Sequence, residues 1–205
     1  DTFDDAVDAD TADGVCATAA NQCSLRAAVQ QANAWPGHDF IVLPAGTYTL
    51  SIAGRGENAA ASGDLDVTEA LTVSGAGPNL SIIDGDGIDR VFDVIGETTS
   101  LVISGVAIVN GAAIAQGSPA DNGVGGGIRS QGVLTLRDSA VSDNTATPSN
   151  PGFAGGGIYH TRQGDAVTLL LERVTVSDNS ASGDGITVVG GGIAVFNSSA
   201  RIERS

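Results

Sequence analysis

The chain has 205 residues, enough for one elongated domain, and its 24 acidic residues against 9 basic ones give a net charge of −15. That sign excludes nucleic acid and anionic membrane surfaces as partners, since both need basic faces. No run approaches the ~20 apolar residues of a membrane-spanning helix. With 29 glycines and 41% hydrophobic but only 4% aromatic residues, the chain reads as turn-rich, with a narrow core of Val, Ile, Leu and Ala.

Residues 1–15 are acidic. Asp8, Asp10 and Asp13, followed by Gly14, have the spacing of a calcium loop. It is not an EF-hand, which needs acids where Ala12 and Ala19 stand. These aspartates either hold calcium or form a solvated lead-in. Cys16 and Cys23 are the only cysteines. An even pair this close, far in sequence from His38 and His160, reads as a local disulfide rather than a metal site or a Cys-x-x-Cys redox motif.

Ser24 to Trp35 is the one helical stretch. Ser24 is a ready N-cap, Leu25, Ala28, Val29 and Ala32 share one apolar face, and Pro36-Gly37 ends it. Its expected task is to cover the open edge of the first strands that follow it and block edge pairing.

The run Cys23-Ser24-Leu25-Arg26-Ala27-Ala28-Val29, with Ala32-Asn33 and Ile41-Val42-Leu43-Pro44-Ala45-Gly46-Thr47-Tyr48, resembles the amino-terminal module of bacterial proteins named for a C-S-L-R-E-A motif. Later Gly-Gly-Gly-Ile and Ser-Asp-Asn repeats are similar to polymorphic outer-membrane and autotransporter-like adhesin repeats. The resemblance implies an exported right-handed parallel β-helix, secreted or held on a bacterial cell surface. Ala27 stands where the motif has Glu, which removes the capping-box partner of Ser24.

From Phe40 onward the apolar residues alternate with polar ones, which is strand spacing. Phe40–Leu50 gives the first coil strand, residues 51–65 a protruding loop, and Leu71–Val73 with Leu80–Ile83 the second coil. Asp84, Asp86 and Asp89, interleaved with Gly85 and Gly87, form a second calcium candidate or a plain Gly-Asp turn balanced by Arg90. Val91–Val94 and Leu101–Ile108 build the third coil.

Beyond Val124 one pattern occurs twice. Gly125-Gly126-Gly127-Ile128 leads to Val141-Ser142-Asp143-Asn144, and Gly155-Gly156-Gly157-Ile158 leads to Val176-Ser177-Asp178-Asn179. The two Val-Ser-Asp-Asn copies lie 35 residues apart, and a third copy opens at Gly190. A period of this size means a solenoid, propeller or array. Three short strands per period, no helical pattern and no tight hairpin signal select a right-handed parallel β-helix, an all-β fold of about six coils stacked ~4.8 Å apart. Asn144 and Asn179 take equivalent turn positions, where stacked amides can form a hydrogen-bonded ladder. Residues 112–123, 145–154 and 181–189 read as loops projecting from one side, often the binding side of such folds.

The chain thus divides into a lead-in, disulfide loop and capping helix over 1–38 and a β-helix over 39–205. Ala200 to Ser205 reads as the middle of a strand, so the solenoid is expected to continue, and an uncapped last coil invites end-to-end self-association. Two functions compete. One is a stalk or adhesion module that binds polysaccharide or a neighbouring surface without catalysis. The other is a fragment of a polysaccharide lyase or glycoside hydrolase, with Arg137 and Arg173 neutralising a uronate and Asp143 and Asp178 as paired carboxylates. The repeat alone accounts for those four, and no catalytic residue is assigned. No cofactor is called for, and calcium is the one candidate.

Overall fold

Leu71, Leu101, Leu134 and Leu169 stand in register on four successive strands, and none is more than 1% exposed. Each such leucine contributes about 1.5–3 kcal/mol by leaving water, and the column repeats on the other faces of the molecule. The computed structural model describes residues 1–116, 122–150, 152–162, 167–183 and 188–204. It is a parallel β-solenoid with one short helix ahead of it.

The helix, α1 (Leu25–Ala34), is capped by Ser24, whose hydroxyl accepts from the Ala27 amide. The first turn holds β1 (His38–Leu43), β2 (Gly46–Thr49) and β3 (Leu65–Val67). The second holds β4 (Ala70–Gly75), β5 (Ser81–Asp84) and β6 (Phe92–Val94). The third holds β7 (Ser100–Ser104), β8 (Ala107–Val109), β9 (Ala112–Ile114) and β10 (Ile128–Ser130). The fourth holds β11 (Val133–Arg137), β12 (Ala140–Ser142), β13 (Thr145–Thr147), β14 (Gly152–Phe153) and β15 (Ile158–Thr161). The fifth holds β16 (Val167–Glu172), β17 (Thr175–Ser177), β18 (Ser180–Ala181), β19 (Val188–Val189) and β20 (Ile193–Phe196). A last strand, β21 (Ser199–Glu203), adds to the sheet that β1 begins. Five turns are complete, against the six expected, because the sixth is represented by this one strand.

Every strand pair is parallel and in sequence order along the stack. Three main sheets enclose the core. They run β1-β4-β7-β11-β16-β21, β2-β5-β8-β12-β17 and β3-β6-β10-β15-β20. The glycine triplets sit where the chain enters the third sheet. Gly125 and Gly155 have φ of +67° and +54°, which favours glycine. A Cβ on the next residue, Gly156, would lie 2.2 Å from the Ser180 carbonyl oxygen and 2.3 Å from that of Gly191. The stacking distance between turns therefore leaves no room for a side chain there.

Four segments differ from the expectation of projecting loops. The three repeat insertions carry ladders of their own, β9-β13-β18 and β14-β19, because they keep the register of the turns they leave. With Val124, Ala146 and Ala154 they form a second, smaller apolar cluster. Residues 117–121, 151 and 184–187 of these insertions lie outside the described residues. Residues 51–65 also do not protrude. Ala60, Asp64 and Leu65 are buried, and Glu57 ties the segment by accepting from the amides of Ala59, Ala61 and Ser62.

Candidate functional site

In the third sheet, Leu65, Phe92, Ile128 and Ile158 point into the core. The next residues, Asp66, Asp93, Arg129 and Tyr159, share a register and face the other way. In a solvated sheet these would be exposed. Here Asp66, Asp93 and Arg129 are buried, and residues 52–63 fold back over Asp66, whose carboxylate accepts from the Ala60 amide. Charges so placed need partners. Asp93 is held by the Arg129 guanidinium, with Nε to Oδ1 at 2.8 Å. Asp64 is held by Arg90 at 2.8 Å, and Asp89 by Arg55 at 3.2 Å. Asp5, from the lead-in, is held by Arg26 at 2.6 Å. Arg26 also donates to the carbonyls of Ala60, Gly63 and Asp64, tying α1 to the first turn.

Asp66 is the exception. Its Oδ2 accepts from the Ala60 amide at 2.8 Å, and its buried Oδ1 has no donor among the described residues. One carboxylate oxygen each from Asp64, Asp66 and Asp93 lie within 4.8 Å of one another, the only such group among the described residues. A cation fits poorly, because arginines already take the oxygens it would need. Arg90 Nη1 lies 2.8 Å from Asp64 Oδ2 and 3.9 Å from Asp93 Oδ2, so a guanidinium bridges two of the three. A proton suits the remaining carboxyl better. Burial, reinforced by the Asp64 charge, pushes Asp66 up to about 8. Burial likewise pushes Asp64 up to about 7 against the opposing pull of Arg90.

The residues singled out from sequence fall elsewhere. Asp8, Asp10 and Asp13 spend carboxylate oxygens on the amides of Asp10, Ala12 and Val15, and Asp8 also accepts from Ala17. Asp84, Asp86 and Asp89 are split: Asp84 accepts from Asp86 N and Asn110, Asp86 is exposed, and Asp89 is buried against Arg55. Cys16 and Cys23 are joined by a disulfide with a Cα–Cα distance of 5.2 Å. Asn144 is buried and donates to Asn179 Oδ1 at 2.9 Å, while its own Oδ1 accepts from Gly111 N.

Arg137 pairs with Glu172 at 3.2 Å, and Arg173 pairs with Asp138 at 2.6 Å and with Glu172. Both arginines are thus spent in an outward ladder. Asp143 and Asp178 are turn residues outside the core, with φ of +60° and +55°. His160 is fully buried against Thr168, and burial pushes it down to about 4, so it is a neutral core group.

A second feature lies at the amino-terminal end. α1 covers the edge of β3, where Asn33 donates to Asp66 O and accepts from Thr68 N. The lead-in lies over β2, with the Phe3 ring 5.1 Å from Tyr48 and Asp5 accepting from the amides of Ser51 and Ile52. Among the described residues β1 pairs with β4 on one side only. Along its other side runs a groove of about 740 Å³, walled by Leu25, Ala28, Ala32 and Trp35 of the helix segment and floored by β1. The helix therefore covers one of the three strand edges of the first turn rather than all of them. No helix among the described residues is long and apolar enough to cross a membrane. Comparison with protein families, with curated proteins and with solved structures finds no match for this chain.

Proposed function

We propose that this chain is a structural display module of an exported bacterial surface or extracellular protein: a stiff rod that carries binding segments and does no chemistry itself. One observation supports this above the others. The outer face of the six-stranded sheet is a plain ladder. One column reads Thr72, Val102, Thr135, Leu170 and the next Ser74, Ser104, Arg137, Glu172. A polysaccharide lyase or hydrolase on this scaffold needs a cleft with an unspent cation or two poised carboxylates. Here the arginines on that face and its border are tied to carboxylates.

The stacked insertions suit such a module, since a ladder of their own gives them a fixed position on a rod. Polysaccharide or a neighbouring cell surface is the partner class that this reading assigns to them. Treatment of intact cells of the source organism with a broad-specificity protease tests the location. Peptides of this chain released before lysis support the proposal, and release only after lysis overturns it.

A further inference from the structure

We propose that the groove between α1 and β1 is a receptor site for one extended peptide strand, apolar at alternate positions and basic at one end, added to the free edge of β1. The first observation is the unpaired edge. Within the first turn, β3 is covered by Asn33 and Arg26 and β2 by Phe3 and Asp5, so β1 is the strand left open. A free strand edge offers a row of amides and carbonyls that only another extended backbone satisfies along its length.

The second observation is the pattern of the floor. Asp39, Ile41 and Leu43 continue the inward columns of the first sheet, in register with Leu71, Val73 and Gly75. A strand laid beside β1 thus puts alternate side chains over Ile41 and Leu43, against Leu25, Ala28 and Ala32 of the opposite wall. Its remaining side chains lie outside, beside Phe40 and Val42, which are 72% and 76% exposed. The groove volume of about 740 Å³ is within the ~300–1,000 Å³ range of ligand clefts.

The third observation is charge. The inward position at the start of β1 is Asp39, which also lines the groove. A lysine or arginine there meets its carboxylate, and no Lys, Arg or His side chain lines the groove among the described residues. This site lies at the end of the rod and does not depend on the rod displaying anything along its flank.

The test uses the whole chain and a labelled seven-residue peptide of alternating Val and Thr with an amino-terminal Lys. Saturable binding is expected. It weakens at least about tenfold when that Lys is Glu, when a Pro interrupts the peptide, or in Asp39→Lys. Ala28→Trp, which fills the groove from the helix side, abolishes it. Unchanged thermal unfolding establishes that both variants fold. Amide exchange at residues 38–43 slows when peptide is added to the unaltered chain. No binding, binding indifferent to Asp39→Lys and Ala28→Trp, or a groove closed by a second copy in sedimentation overturns the proposal.

Discussion

Asp66 and Asp93 face one another across β3 and β6, both buried, yet only Asp93 is held by an arginine. The four pairs Asp5–Arg26, Asp64–Arg90, Asp89–Arg55 and Asp93–Arg129 cancel in charge and leave Asp66 over. A buried carboxylate without a counter-charge takes up a proton rather than remain ionised.

Stability should therefore fall as pH rises toward 8. Asp66 and Asp64 titrate in the folded chain at about 8 and about 7, and near 4 when unfolded. Between those limits the folded state holds more protons, so raising the pH favours unfolding. His160, pushed down to about 4, works in the opposite direction only below its ordinary value near 6.5. The window from pH 6.5 to 8 isolates the aspartates. Denaturant midpoints across it should decline in the unaltered chain, and Asp66→Asn should flatten the decline. The variant should gain on the order of 1 kcal/mol or more at pH 8. An unaltered slope in Asp66→Asn would show that Asp66 is ionised in the folded chain.

Removing an arginine from the network should cost far more. Arg129→Ala leaves Asp93 buried without its bidentate partner. Losses of about 3–5 kcal/mol accompany such broken buried pairs. Arg137→Ala, on the exposed ladder, should change stability by less than about 1 kcal/mol. Urea unfolding of the two variants compares them directly.

The amide ladder should be uneven. Asn144 donates to Ile108 O, Ser142 O and Asn179 Oδ1 and accepts from the buried Gly111 amide. Asn144→Ala should cost about 2–3 kcal/mol, because it orphans buried groups. Asn179→Ala, in a half-buried position, should cost less. Equal costs in equilibrium unfolding would mean that the ladder contributes nothing beyond turn preference.

The repeat was legible in the chain because Gly-Gly-Gly-Ile and Val-Ser-Asp-Asn recur at turn-length spacing, and stacking forces the same residues to the same places. The buried network was not. Asp66 in Leu-Asp-Val and Asp93 in Phe-Asp-Val read as the polar half of an ordinary strand alternation. Nothing in that alternation shows that residues 52–63 will fold over the outer face. The available signal was that Arg129 takes the equivalent place in Ile-Arg-Ser, which puts a base directly over an acid. Phe40 and Val42 misled in the opposite sense. They belong to the first strand as its apolar run indicates, but they lie exposed beside an open edge, where hydrophobicity alone would put them inside.

Calcium should leave thermal unfolding unchanged. The lead-in aspartates cap backbone amides, and the oxygens of Asp64 and Asp93 are held by arginines. A rise of several degrees with calcium, reversed by a chelator, would place an ion in one of the acidic segments.

Reduction of Cys16–Cys23 should loosen the lead-in and α1 before the turns beyond them, since the bridge closes a short local loop. The cost should be about 2–3 kcal/mol, confined to the amino-terminal end. Exchange rates of the α1 amides in the Cys16→Ser, Cys23→Ser double variant report it. Two reactive thiols in the unfolded, unreduced protein would remove the bridge altogether.

The most direct measurement is product release from a panel of acidic and neutral polysaccharides incubated with the whole chain, with and without calcium. A display rod yields no new reducing ends and no unsaturated sugar from any polymer, while binding to one of them remains open to it. Turnover of a single polymer contradicts the rod, and loss of that turnover in Arg137, Asp143, Arg173 or Asp178 variants would locate the catalyst on the repeat.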